Sequence, residues 1–246
     1  MISTQVLKFA GDGIETPGSF ANGLQGSLKS SNLKTVVIIL ATAGLYYMLA
    51  RLGLALQFEQ TQASPVWPPS GFAIAAMLVL GGRAIPGVLI GAFAANVVDF
   101  YVKSDTGTGF VDYMMTHPVL LMVSLTIAVG NMLEGVAGLV LVSRFIGRDN
   151  LFRSIHSVVY FTLIALAVCA ISSTVGVSAL SGFGILPLSL YTTVWFTWWL
   201  GDVSGMLILA PMLYVWTTMP HGELRKEFSP ATLGVFGGLA VFCGLT

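Results

Sequence analysis

The sequence predicts an all-α membrane protein, a polytopic bundle of about eight transmembrane helices of which some are short or broken. Of the 246 residues, 55% are hydrophobic and only 9% are charged, whereas a soluble domain carries about 25% charged residues. The mean hydropathy is +0.86. The apolar residues are gathered in runs close to the length that a helix needs to cross a bilayer, roughly 20 residues. There is too little polar surface here for a protein that faces water on all sides.

The chain begins with a polar, glycine-rich segment, residues 1–34, which contains three lysines. Because no apolar run begins before Thr35, the sequence does not indicate a cleavable signal peptide. We expect 1–34 to be a cytoplasmic N-terminal tail, with a short amphipathic surface helix as the alternative. Residues 35–246 are predicted to form the integral membrane domain.

Eight apolar segments follow this tail, and several are shorter than a spanning helix needs to be. Two consecutive pairs are interrupted by Gly or Pro, which is typical of kinked or partly re-entrant helices around a cavity. A thin local membrane with tilted helices would explain the short segments equally well. The segments are 35–57, 68–82, 84–103, 118–145, 156–180, 184–200, 202–218 and 230–246, and the interrupted pairs are the second with the third and the sixth with the seventh.

Lysine and arginine predict the orientation, because cytoplasmic loops collect them. Eight spans with the N-terminus inside place both termini in the cytoplasm. Arg225 and Lys226 conflict with this arrangement, since they fall outside together with Lys103. Joining 184–218 into one irregular crossing would bring these two residues inside and leave the C-terminus outside. The basic residues on the predicted inner side are Lys8, Lys29, Lys34, Arg83, Arg144, Arg148 and Arg153.

The last segment, 230–246, stops while it is still apolar and carries no basic anchor or tail. We therefore expect this sequence to be the front part of a longer chain, cut within or at its last helix.

Composition and motifs also argue against several functions. The net charge is zero and no basic block is present, so nucleic acid is not expected as a partner. Cys169 and Cys243 lie in apolar segments and are interpreted as small packing residues. His117, His156 and His221 lie at segment edges without the spacing of zinc ligands. Because no phosphate loop or catalytic motif is present, we predict no catalytic residue, no metal site and no cofactor.

An acidic residue, Glu134, occupies the centre of the predicted span 118–145. A carboxylate at that depth costs at least about 2.5 kcal/mol by insertion scales, so such residues usually face a protein interior or a cavity. Asn131 precedes it by three residues and shares its helix face. Asn96 and Asp99 repeat the same Asn-x-x-acid spacing one segment earlier.

These polar residues predict either a pocket or a structural contact. In the first case Asn96, Asn131 and Glu134 line a pocket that binds a cationic or hydrogen-bonding ligand or relays protons. In the second they form interhelical hydrogen bonds, worth only about 0.6 to 2 kcal/mol. The sequence gives Glu134 no obvious cation, so its carboxyl is expected to be protonated or bound to a molecule outside the chain.

Arg51 is the one basic residue well inside a predicted span. A buried guanidinium needs an anion, and pairing with a carboxylate is the commonest solution. Arg51 lies in the outer third of the first predicted helix, and Asp99 lies at a similar depth in the third. We therefore predict a structural Arg51–Asp99 ion pair, with Glu59 as the competing partner.

Two further motifs mark predicted helix ends. Trp67 begins the motif WPPSG, in which proline suits the first turn of a helix; the tryptophan is expected to anchor at headgroup level, or else the motif forms the rim of a ligand site. Asp202 follows an aromatic cluster, 195–199, and is predicted to cap a new helix. Three G-x-x-x-G pairs predict close helix packing, namely Gly87 with Gly91, Gly201 with Gly205 and Gly234 with Gly238.

The chain carries five motifs in order: Trp67-Pro68-Pro69-Ser70-Gly71, Gly81-Gly82-Arg83 followed by Pro86-Gly87, Gly91-Ala92-Phe93-Ala94-Ala95-Asn96, Gly130-Asn131-Met132-Leu133-Glu134, and Trp198-Trp199-Leu200-Gly201-Asp202-Val203-Ser204-Gly205 through Pro211. In this order and spacing they resemble the first membrane-associated sensor domain family, the MASE type. The similarity spans about residues 30 to 246. No single motif is specific, and the match rests on their succession.

The resemblance implies a multi-pass sensory domain of the bacterial cell inner membrane, with about eight helices. Such domains usually precede a cytoplasmic output domain, commonly a diguanylate cyclase, a phosphodiesterase or a histidine kinase, and no such domain lies within these residues. The implied partners are the lipid bilayer, that output domain, an unidentified small-molecule ligand and a second copy in a homodimer. The matching polar positions are Asn96, Asn131, Glu134 and Asp202.

Three functions follow from these observations. The favoured one is a sensory input module, in which a ligand or a membrane state shifts helix packing and biases the attached output. The alternative is a transporter-like or substrate-binding component, because short broken helices and polar groups at mid-membrane depth also describe transporters. The third is a purely structural membrane anchor, with Glu134 held in an interhelical contact.

Overall fold

The computed structural model describes residues 17–55, 64, 66–104 and 107–218. The chain forms two compact units, Met1–Ile38 and Ile39–Thr246. In the first unit the described backbone is helical and belongs to helix α1, which runs from Pro17 to Ala55 and continues into the second unit. This helix begins inside the predicted polar tail, where the sequence allowed a short surface helix.

Within the described residues the chain is built of seven α-helices and three short 3-10 turns, and it contains no strand. Proline occupies the first turn of α2 and of α5, and Ser154 with Ser157 forms a capping box at the start of α6, as expected of helix N-termini. After α1 the helices are α2 (Pro68–Leu80), α3 (Ile85–Ser104), α4 (Phe110–Thr116), α5 (Pro118–Phe145), α6 (Ile155–Gly182) and α7 (Tyr191–Thr218), and the turns are Gly81–Ala84, Arg148–Asn150 and Leu188–Leu190.

Five segments of the described chain are long and apolar enough to cross a membrane, so the predicted count of about eight is not confirmed. The predicted segments 184–200 and 202–218 form the single helix α7, as the alternative interpretation had it, and 230–246 lies outside the described residues. The five segments are Asn32–Ala55, Pro68–Ser104, Pro118–Phe145, Ile155–Gly182 and Leu188–Thr218.

Helix α2 runs parallel to α5. Ile74 packs directly on Gly138, and Leu78, one turn later, belongs to the same buried cluster as Val142. Since both numbers rise together, the two helices point the same way. The end of α2 therefore lies at the depth where α5 ends.

Helix α3 returns along α5 in the opposite direction. Phe100, near the end of α3, packs in the cluster that contains Val123 from the start of α5. The turn Gly81–Ala84 reverses the chain, and Gly81 has a φ of 69°, a left-handed conformation that glycine adopts at little cost. The segment Pro68–Ser104 is thus a hairpin of two helices, which agrees with the sequence division into 68–82 and 84–103.

Glycines allow the closest helix contacts, as the G-x-x-x-G pairs predicted. A Cβ on Gly91 would lie 2.6 Å from the Ala43 carbonyl oxygen and 2.8 Å from Tyr46 Cβ, so α3 packs against α1 backbone to backbone. Gly205 is likewise covered by the carbonyl of Trp67. The packing prediction is confirmed for these two pairs, whereas the third, 234/238, lies outside the described residues.

The relative direction of helices α6 and α7 follows from two contacts between them. α6 is antiparallel to α7, because Ser172 meets Asp202 and Trp198 lies over Gly176. α2, α5 and α7 consequently end on one side of this unit, while α3 and α6 end on the other. The first side carries Arg83, Arg144, Arg148 and Arg153, and the second carries Lys103.

Candidate functional site

Two carboxyl groups lie side by side in the middle of the second unit. Glu134 on α5 is 1% exposed and Asp202 on α7 is fully buried, and the two carboxyls lie close enough to interact electrostatically. Each belongs to the middle of a membrane-spanning segment. The sequence singled out both residues, but it did not place them together.

Two serines connect the acidic pair to the remaining helices. Ser70, in the first turn of α2, donates a hydrogen bond of 2.8 Å to Asp202 Oδ1. Ser172 of α6 donates a short hydrogen bond to Asp202 Oδ2. Both hydroxyls also lie near Glu134. Four helices, α2, α5, α6 and α7, therefore meet at one buried polar cluster.

The hydrogen bonds indicate which carboxyl carries a proton. Two adjacent carboxylates in a low-dielectric interior cannot both be charged. Each oxygen of Asp202 already accepts a hydrogen bond from a serine hydroxyl, as the oxygens of an ionised carboxylate do. This pattern favours a carboxylate on Asp202 and a proton on Glu134.

The N-terminus of α2 supports this single charge. Because Ser70 hydrogen-bonds to Asp202, α2 begins at the depth of this residue and not at the membrane edge. A helix N-terminus carries a partial positive charge of about half an elementary unit. The start of α2, aimed at the pair, therefore stabilises a carboxylate on Asp202.

Several buried polar atoms around the pair have no hydrogen-bond partner within the described part of the chain. Glu134 Oε2 and Asn131 Oδ1 are unpaired acceptors, and the Tyr46 hydroxyl is unpaired as well. Tyr46 is 1% exposed and lies close enough to feel both carboxyl charges. Buried polar groups are normally satisfied, so these atoms mark a place where a small polar or cationic group would be stabilised.

Trp67 does not anchor at headgroup level. Its ring lies against Gly53 of α1, and its backbone N–H donates a 2.8 Å hydrogen bond to the Gly201 carbonyl in the middle of α7. Its indole Nε1 is buried without a partner. The prediction of a headgroup anchor is wrong because glycines at 53, 201 and 205 leave room for the ring and backbone inside the bundle.

Asn96 is not drawn to the acidic pair. Its amide nitrogen donates a 2.8 Å hydrogen bond to the Ala92 carbonyl of its own helix, and no hydrogen bond joins it to Glu134 among the described side chains. A pocket lined by Asn96 together with Asn131 and Glu134 stays a prediction.

The Arg51–Asp99 ion pair is absent from the described contacts. Asp99 Oδ2 lies 2.8 Å from Lys103 Nζ, one turn later on the same helix. This local pair forms because residues four apart on a helix are neighbours. The prediction rested on the equal depth of Arg51 and Asp99 in the membrane. Equal depth does not make two side chains on different helices face each other. The competing partner, Glu59, lies outside the described residues.

Asp202 does not cap a helix, because α7 is continuous from Tyr191 to Thr218. Two tryptophans of the cluster before it are tied to α6, since Trp195 Nε1 donates to Thr174 Oγ1 and Trp199 Nε1 donates to the Leu166 carbonyl. Ser70 and Ser172 were missed as partners. Ser70 lies within the WPPSG motif, which offered a signal, whereas a serine in an apolar helix offers almost none.

None of the described histidine, cysteine and acidic side chains gather in a group of three that could hold a metal ion. The polar oxygens at the centre belong instead to two carboxyls, two hydroxyls and one amide. Such a set suits a proton, a monovalent cation or a hydrogen-bonding ligand.

An all-helical membrane bundle with a buried polar cluster at mid-depth defines a multi-pass membrane domain with an interior site. The MASE1 family model matches residues 38–241, and the chain belongs to this family of membrane-associated sensor domains. Comparison with curated proteins gave no match. No solved structure matched either.

Proposed function

We propose that this chain is the sensory input module of a bacterial signalling protein, and that its sensing element is the Glu134–Asp202 pair. The observation that supports this proposal is a buried pair of carboxyls at the junction of four helices, with unpaired acceptors on Glu134 and Asn131 beside it. Family membership supports the sensory role. The regulated output is a cytoplasmic signalling domain such as a cyclic-di-GMP enzyme or a histidine kinase.

The pair would respond to a cationic or strongly hydrogen-bonding ligand. A cation that replaced the proton of Glu134 would occupy Glu134 Oε2 and Asn131 Oδ1, and the proton would leave to solvent. The site beside the two serines that donate to Asp202 would then differ in charge and in size from the site without the ligand. Helix α7 would shift against α2 and α6, provided the ligand binds the two packings with different affinity.

Orientation in the inner membrane follows from the basic residues. We assign the side that carries Arg83, Arg144, Arg148 and Arg153 to the cytoplasm. The end of α7 then faces the cytoplasm, so a shift of α7 is delivered on the side where an output domain would act. Arg225 and Lys226 follow α7 in the sequence and agree with this orientation.

The test uses a full-length parent protein that carries this domain ahead of its own output. Glu134→Gln keeps the shape and a hydrogen-bond donor but cannot release a proton. We expect normal membrane insertion and an output that no longer changes with growth conditions. Leu133→Met, on the exposed face of α5, is the matched control and should respond as the wild type does. A normal response of inserted Glu134→Gln would refute the proposed role.

A transporter-like role is the second candidate, and the short helix α2 favours it. α2 has 13 residues, about 20 Å of helix, and it starts beside mid-depth carboxyls, as broken helices do at transporter substrate sites. Proteoliposomes that take up a labelled cation without any output domain, and lose uptake in Asp202→Asn, would support this role over the sensory one.

A further inference from the structure

A cavity lies where α7 ends, away from the acidic pair. Its volume is about 190 Å³, and its wall is formed by the loop between α5 and α6 together with the last turn of α7. This is smaller than the roughly 300 Å³ at which pockets for drug-sized ligands begin, and it suits a headgroup-sized anion. The lining residues are Arg148, Asp149, Leu151, Arg153, Tyr214, Val215 and Thr218.

Two guanidinium groups in this wall have no acidic partner. The described part of the chain contains no salt bridge to Arg148 or Arg153, and Asp149 lies near both without pairing with either. The wall therefore carries a net charge of plus one. Arginine binds phosphate oxygens through parallel N–H donors, and Thr218 adds a hydroxyl at the rim.

The loop that presents these arginines is held in an uncommon conformation. Phe152 has a φ of 61°, which is an outlier for a bulky side chain and often marks functional positions. Its ring packs edge-on against Phe161 and Tyr214. Tyr214 in turn donates a 2.7 Å hydrogen bond to the Arg148 carbonyl, so the end of α7 fixes the arginine loop.

Neighbouring side chains place the cavity mouth at a membrane boundary. Trp216, on α7 between two lining residues, is 52% exposed, as interfacial aromatics are. Phe145 and Ile155, at the ends of the flanking helices, are 64% and 82% exposed. Among the described residues nothing covers these apolar side chains, which suit acyl chains, so an anion that enters the cavity from the lipid phase keeps its tail beside them.

We propose that this cavity binds the phosphate of an anionic lipid headgroup, with Arg148 and Arg153 as its ligands. Basic pockets between helix ends are known to favour such headgroups. The headgroup would bridge the α5–α6 loop and the end of α7, the two elements that Tyr214 already joins. This assignment does not depend on the role of the acidic pair.

The experiment measures lipid binding to the purified chain by native mass spectrometry, with phosphatidylglycerol as the probe and zwitterionic phosphatidylcholine as the reference. We expect one phosphatidylglycerol to be retained in preference to the reference lipid. Arg148→Gln and Arg153→Gln should each weaken it about fivefold, and the double variant about thirtyfold. Asp149→Asn should strengthen binding about fivefold for the same reason.

Arg144→Gln is the matched control, since it removes the same charge from the same side of the protein without lining the cavity. Its affinity should stay within about twofold of wild type. If the double variant binds as the wild type does, or Arg144→Gln weakens binding equally, the site is overturned. If the double variant fails to fold, the Asp149→Asn variant is the test. The proposal is overturned if that variant binds phosphatidylglycerol no more tightly than the wild type does.

Inorganic phosphate distinguishes a lipid from a soluble source. With a headgroup site, phosphate competes only at concentrations far above those of phosphatidylglycerol, because it lacks the acyl chains that rest beside Phe145 and Ile155. If phosphate alone binds as tightly as the lipid and is lost with Arg148 and Arg153, the cavity takes a soluble anion and the headgroup assignment is wrong.

Discussion

Ser70 Oγ donates a 2.8 Å hydrogen bond to Asp202 Oδ1, and this contact ties the first turn of α2 to the middle of α7. Both residues are buried. The bond joins the one helix that starts at mid-depth to a helix that crosses completely. The packing of α2 against α7 consequently depends on these few atoms.

Loss of one serine hydroxyl from the acidic cluster should destabilise the fold. We expect Ser70→Ala and Ser172→Ala each to lower the free energy of unfolding by about 1 to 2 kcal/mol, because Asp202 loses a donor to its charge. Ser143→Ala, on the exposed face of α5, serves as the control and should change it by less than about 0.5 kcal/mol. Unfolding in mixed detergent gives both values. Equal effects at all three serines would contradict the arrangement.

Neutralising the two acids should have unequal effects. Glu134→Gln replaces a protonated carboxyl by another neutral donor and should cost less than about 1 kcal/mol. Asp202→Asn places an amide donor against two serine donors and should cost about 2 kcal/mol or more. The same unfolding measurement ranks the variants. A reversed order would assign the proton to Asp202.

Glycine-to-alanine substitutions should destabilise the protein at tight helix contacts but not on open helix surface. Gly205→Ala drives a methyl group into the Trp67 carbonyl, and overpacking of this kind costs about 1 to 3 kcal/mol. Gly44→Ala meets nothing within 4 Å, and alanine favours helix over glycine by about 0.8 to 1 kcal/mol. Melting temperature should therefore fall in the first variant and hold or rise in the second. A tolerated Gly205→Ala would contradict the close approach of α2 to α7.

A double-mutant cycle between Arg51 and Asp99 should give no coupling. Asp99 is engaged by Lys103, and that partly exposed pair is itself worth only about 0.3 to 0.5 kcal/mol. We expect the Lys103–Asp99 cycle to return a small favourable coupling and the Arg51–Asp99 cycle to return zero within error. Coupling above about 1 kcal/mol for Arg51 with Asp99 would restore the pair inferred from the sequence.

Periodicity and charge were sufficient to predict helices and a polar centre, but not how the helices meet. Glu134 was found because a carboxylate in the middle of an apolar run is costly. Asp202 was found with the wrong role, because a Gly-Asp step after aromatic residues resembles a helix end, and only tertiary contact shows that α7 continues. Arg51 and Asp99 share a depth, yet the sequence carries no information on the rotation of one helix about its axis relative to another. Ser172 was not found, since a hydroxyl can bond its own helix as easily as a distant acid.

The backbone hydrogen bond from Trp67 to Gly201 has a mechanical consequence. The chain that leads into α2 lies inside the bundle, where no water replaces a lost partner. If α7 slid or turned alone, the Trp67 N–H would lose its hydrogen bond to the Gly201 carbonyl. The hydrogen bond between Ser70 and Asp202 would break in the same movement. A displacement of either helix therefore moves the other with it, and α2 and α7 shift together as one rigid pair.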